Sequence, residues 1–174
     1  KYITKNIKII CPVRNVLDVI VSFDTIINAH PDSKNNQMDE QVLASTFSNM
    51  PLADRRADFL MRNDKDVALS LNFMKHATMP EFRHLFHFVE YDDFISNPEQ
   101  EINKIYDFLE IPKYNHKFEN IIDSSGISRE SLTRIKDLHT IRPQVQKLSK
   151  RPQDVLLPET IKKYSGLEFW RELR

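Results

Sequence analysis

Apolar positions along this chain follow two rhythms. Ile7 to Val13, IKIICPV, is a short run rich in β-branched residues, the pattern of a strand covered on both faces as in a parallel sheet. Pro12 withholds a ladder donor and marks the strand's finish. From Val16 to Ala29 the period lengthens. Val16, Ile20, Phe23 and Ile27 recur at three- and four-residue steps as one apolar helical face, while Asp18, Ser22 and Thr25 share a polar stripe. The pattern is a strand, a tight turn and a helix, with Arg14 at the turn.

Further along, His30 to Asn36 is polar and holds Pro31, which predicts a loop. Helices are expected over 38–48, 51–62 and 65–77, with Pro51 opening the second, where a missing N–H costs nothing. Phe86 to Tyr91, FHFVEY, is the second strand. Asn97-Pro98-Glu99-Gln100 then reads as a helix start, with Asn97 as cap, Pro98 in the first position and Gln100 reaching back in a capping box. Ile102, Ile105, Tyr106 and Leu109 supply its apolar face, and Pro112 ends it. Helices follow over 115–124, 129–138 and 158–165, with Gly126 and Gly166 at C-terminal cap positions. A basic, irregular stretch spans Ile141 to Lys150.

Strands alternating with helices predict an α/β fold with a parallel sheet. Two strands are few for a sheet, and the chain reaches its first strand within ten residues of Lys1. Both observations predict a single domain over 1–174 that lacks partners at its N-terminal side.

Charge narrows the classes of ligand. Twenty-five basic residues balance 25 acidic ones, so no global field favours nucleic acid or an anionic membrane, and any anion site is local. Two glycines, Gly126 and Gly166, exclude a glycine-rich phosphate loop within the chain. The single cysteine, Cys11, excludes a disulfide framework and a Cys-based zinc site, and fits a cytoplasmic location. No apolar stretch approaches the roughly 18 residues of a membrane span, and no signal peptide is evident.

Arg14 is the first candidate for chemistry. Open α/β sheets place ligands where a parallel strand ends and a helix begins. Free N–H groups and partial positive charge at the helix start, plus the donor fork of Arg14, suit a phosphate. Ser22, eight positions on, adds a hydroxyl two turns along the helix. The same spacing is equally that of a plain Arg14–Asp18 ion pair with Ser22 on the helix surface, and spacing alone leaves both open. Tyr91 reads from its position as a half-buried strand-end tyrosine. The cations between His139 and Arg151, Arg142 and Lys147 among them, suit either a strap over a polyanion or a solvated loop. His30, His76, His84, His87, His116 and His139 form no recognisable acid–base or metal-ligand spacing, so no catalytic residue and no metal site is assigned.

The segment Ile9 to Phe23, IICPVRNVLDVIVSF, resembles the 3′-phosphate-binding segment of sulfotransferases that use 3′-phosphoadenosine 5′-phosphosulfate (PAPS). That pattern is an apolar strand, Arg-Asn, an Asp-Val pair and a Ser eight residues after the Arg; Val16 stands where proline is usual. Phe88 to Phe94, Asn97-Pro98-Glu99 and Ile105 to Pro112 are similar to the family's second strand and helix, with Asp92 in place of Glu and Glu110 in place of Gly. The resemblance implies a P-loop-like sheet flanked by many helices, missing its first strand and phosphosulfate loop, together with the family's usual base. It implies that Arg14 and Ser22 hold the 3′-phosphate, that Tyr91 lies beside the nucleotide, and that Arg142 and Lys147 contribute weakly, the Arg-Lys-Gly form of the basic loop being absent. It further implies sulfuryl transfer to a hydroxyl or amine acceptor, with the helical insertion over 30–80 facing that acceptor. A nucleotide-kinase-like phosphotransferase and an inactive helical interaction module remain alternatives, separated by the sequence upstream of Lys1.

Overall fold

The computed structural model describes residues 7–29, 50–62, 65–122, 141, 143–145, 147 and 150–173. Strand β1 (Ile9–Val13) begins two residues later than the apolar run predicts and leads into helix α1 (Val16–Ala29), which has the predicted bounds. Next come α2 (Leu52–Leu60), α3 (Asp66–Met74), a 3₁₀ turn (Lys75–Thr78) and the single-turn helix α4 (Pro80–Arg83). Strand β2 (Phe86–Glu90) follows, then α5 (Tyr91–Ser96) and α6 (Pro98–Leu109). Two 3₁₀ turns (Pro152–Asp154 and Phe169–Leu173) flank α7 (Pro158–Tyr164). The expected loop 30–36, the helices over 38–48 and 129–138, and Gly126 lie outside the described residues.

β1 and β2 pair in parallel, with Ile9 opposite Phe86 and Val13 opposite Glu90. The chain is therefore α/β, with a small two-stranded parallel sheet among many helices. α1 lies on this sheet because its apolar stripe matches the sheet's covered face. Val16, Leu17, Ile20 and Val21 form one buried cluster with Cys11, Val13, Phe86 and Phe88. Leu60 of α2, Leu71 of α3 and Trp170 belong to the same cluster. No helix among the described residues is long and apolar enough to cross a membrane.

Two local expectations need correction. The second strand stops at Glu90, and Tyr91 opens a helix instead of ending a strand. Asp92 and Asp93 sit in that helix's first turn, where their charge complements its N-terminal dipole. The helix expected over 115–124 is absent from 115–122, which run without helical structure; 123 and 124 lie outside the described residues. Its place is taken by long-range pairing. Glu119 bridges Gln144 in antiparallel sense, and Ile121 N–H donates to Pro143 O at 3.1 Å. Aromatic contacts hold this stretch against α6, where the Tyr106 hydroxyl and His116 Nε2 are hydrogen-bonded at 2.7 Å.

Helix ends follow their local chemistry. Asn97 accepts from Gln100 N–H, and its amide donates to the Gln100 side chain at 3.1 Å. α6 ends on Glu110 with φ +57°, the left-handed region that favours glycine. The residue that differs from the family's Phe-Leu-Gly pattern thus occupies the conformation for which glycine is suited. Lys8 offsets part of the strain by pairing with Glu110 at 2.7 Å, which holds the carboxyl below its ordinary range.

Between α1 and α2 lies a buried ion pair. Arg56 Nη1 donates to Asp24 Oδ1 at 2.6 Å and to Asn28 Oδ1 at 2.8 Å, and Arg56 and Asp24 are both buried. Asp24→Ala should destabilise the protein by about 3 kcal/mol in urea unfolding, because it takes a close carboxylate from a buried guanidinium. Adding Arg56→Met should recover most of that loss, and a double variant as unstable as the single would contradict the account. Glu110→Gly should raise Tm by roughly 2–4 °C. A depressed carboxyl contributes stability above its ordinary value and loses it as pH falls through the folded one. The gain from Glu110→Gly should therefore be larger near pH 3 than at pH 7, as read by thermal unfolding at both.

Candidate functional site

Because Val13 stands opposite Glu90, the next residue on each strand leaves the sheet on the same side of the fold. Those residues are Arg14 and Tyr91. The Arg14 guanidinium lies over the Tyr91 ring, 4.2 Å from its centroid, a cation–π stack. Its side chain is 17% exposed, which sets it between core and solvent. Nε and Nη2 are buried and have no hydrogen-bond partner.

Asp18, one turn along α1, brings Oδ2 to 3.7 Å from Arg14 Nε. That is an ion pair, but too long for a hydrogen bond. The Arg14–Asp18 pairing that the spacing allowed is real, and it leaves the donors of Arg14 unspent. Lys147 completes the cluster from the tail. Its ammonium lies 2.7 Å from Asp92 Oδ1 and 3.5 Å from Asp18 Oδ2. The hydrogen bond to Asp92 holds its pKa above the ordinary lysine value, so it stays charged at neutral pH.

The start of α1 departs from expectation. Its N–H groups were expected to be free for an anion, but they have acceptors inside the protein. Val16 N–H donates to Glu168 Oε1 at 2.9 Å. Leu17 and Asp18 N–H donate to Asn15 Oδ1 at 3.0 and 3.3 Å. A helix start inside the fold must satisfy its orphan donors, and here two side chains do so. The first three N–H groups of α1 are therefore committed inside the protein.

Of the residues singled out from sequence, Arg14, Tyr91 and Lys147 come together. Ser22 is half-buried farther along α1, and among the described residues nothing links it to that cluster. Arg142 lies outside the described residues. Sequence reasoning missed four contributors. Asn15 carried a signal, since asparagine ahead of an apolar helical pattern is a standard cap. Glu90, Glu168 and Trp170 carried none, because their roles depend on contacts across the whole chain. Trp170 donates Nε1–H to Glu90 Oε2 at 3.0 Å, and Arg171 pairs with Glu90 Oε1 at 2.5 Å. Trp170 also walls a largely apolar cavity of about 210 Å³ that opens beside Arg14 between Phe23 and Met74.

Comparison with curated proteins and with solved structures gives no match. The family model described as "Sulfotransferase domain" matches residues 1–153. A match over so much of a 174-residue chain, across both strands and Lys147, decides the family: the chain belongs to the sulfotransferases.

Proposed function

We propose that this chain holds the 3′-phosphate end of PAPS in a sulfotransferase that transfers the sulfuryl group to a hydroxyl or amine acceptor. The observation that carries the reading is Arg14: a half-buried guanidinium, stacked on Tyr91, with two nitrogens whose hydrogens have no acceptor. A phosphate dianion suits that group in charge, and its oxygens match a guanidinium fork. The donor supplies an activated sulfuryl group, which passes to the acceptor oxygen or nitrogen as the acceptor loses its proton and adenosine 3′,5′-bisphosphate leaves.

In this reading Arg14 binds the 3′-phosphate, and Tyr91 keeps the guanidinium in plane and lies beside the adenosine. Ser22 offers a hydroxyl to the same phosphate from farther along α1. Lys147 lowers the local negative potential that Asp18 and Asp92 create, and Arg142 belongs to the same basic stretch. None of these groups touches the reacting sulfur. They orient the donor and distinguish it from nucleotides that lack a 3′-phosphate, a contribution of positioning and fixed charge. The two strands belong to a larger P-loop-like sheet, and the insertion over 30–80 faces the acceptor.

Arg14→Ala should weaken binding of adenosine 3′,5′-bisphosphate by about 1.5–3 kcal/mol, roughly 10- to 150-fold, and leave AMP binding nearly unchanged. Calorimetry with both ligands measures this, and equal losses for the two remove the 3′-phosphate assignment. Lys147→Ala should cost under about 1 kcal/mol, because its ion pairs are solvent-exposed and screened. That smaller loss should shrink further when the titration is repeated at high salt.

A further inference from the structure

The family match ends at residue 153, and the residues that grip both strand ends lie after it. Glu168, 8% exposed, accepts from Val16 N–H, two residues beyond Arg14. Trp170, 1% exposed, donates to Glu90, the residue before Tyr91. Arg171 donates to the other oxygen of the same carboxylate through Nε and Nη2. One short tail therefore reaches both turns that carry the Arg14–Tyr91 stack.

We infer that the tail 167–173 is the positioning element of the anion site. Glu168 fixes the β1–α1 turn that aims Arg14, and Glu90, held by Trp170 and Arg171, fixes the β2–α5 turn that aims Tyr91. The inference rests on the reading of Arg14 as the phosphate ligand. Glu168 carries the same sign of charge as a phosphate, so it acts through Val16 and not by touching the ligand. At the start of α1 its carboxylate is favoured by the helix dipole, and it takes the N–H that Asn15 leaves. The tail is no lid. Trp170 packs on Phe88 and Phe169 at centroid distances of 6.5 and 5.4 Å, and Arg83 donates to the Leu173 carbonyl. These contacts tie the tail into the same cluster that buries Ile20 and Leu60. A guanidinium with unspent donors needs such support, because ligand geometry is kept only where neighbouring rotamers are locked.

The test compares the unaltered chain with Glu168→Gln and Glu168→Ala by calorimetry, using adenosine 3′,5′-bisphosphate and AMP. Glutamine keeps a carbonyl oxygen for Val16 N–H; alanine does not. The affinity ratio of the two ligands should fall about tenfold in Glu168→Ala and less than about threefold in Glu168→Gln, the scale of one lost helix cap. An unchanged ratio in Glu168→Ala, or equal falls in both variants, overturns the inference. A second readout without nucleotide separates this outcome from failure of the phosphate reading. The Nε–Hε signal of Arg14, assigned in ¹⁵N-labelled protein by its loss in Arg14→Lys, should move in Glu168→Ala and return in Glu168→Gln. A chain that binds both ligands alike yet shows this movement sinks the phosphate reading and keeps the tail's hold on the turn. A signal unmoved in Glu168→Ala overturns that hold. Should Glu168→Ala not fold, Arg171→Ala carries the test through Glu90 at a more exposed position, with a fall in the ratio of about threefold expected. No fall in Arg171→Ala overturns the inference.

Discussion

The register of two parallel strands governs the rest of this structure. With Val13 opposite Glu90, Arg14 and Tyr91 emerge side by side, and the guanidinium settles on the ring. A slip of one residue would turn every side chain of one strand to the opposite face. It would part the stack, and it would also expose Cys11 and Val13, which are buried against α1. Core packing and site geometry therefore impose the same register, and neither can be altered without the other.

Electrostatics at the strand ends works by arrangement, since the chain's total charge is zero. Asp18 and Asp92 place negative charge beside the stack, and Lys147 and Arg14 offset it. On the far side, Glu90 and Glu168 are buried, and each carboxylate is committed to an internal donor. The outcome is a local site in which the carboxylates have partners and one guanidinium keeps spare hydrogens. Burying that guanidinium costs solvation, which the ring face and the nearby Asp18 offset only in part.

Much of this was legible in the sequence, for reasons that differ from element to element. β1 and α1 announce themselves because IKIICPV and the Val16–Ile20–Phe23–Ile27 spacing are uninterrupted local patterns. α6 announces itself through Asn97 and Pro98. Residues 115–122 misled because their composition tolerates a helix, while pairing with 143–144 decides their form. Tyr91 reads as a strand end in the sequence, since a six-residue helix directly after a strand leaves almost no periodic signal. Arg14 stood out through its place after an apolar strand. Glu168 did not, because an acceptor 152 residues away in sequence from Val16 has no local signature at all.

The chain holds a single tryptophan, and the fold spends it at the back of both strand ends. Its indole is shielded from water, bonded to a carboxylate and edged by the cavity beside Arg14. Excited at the red edge, where the five tyrosines do not absorb, indole emission from these 174 residues consequently comes from one place. Denaturation and ligand entry would each perturb that lone indole, so a simple spectrum doubles as a gauge of the site's integrity.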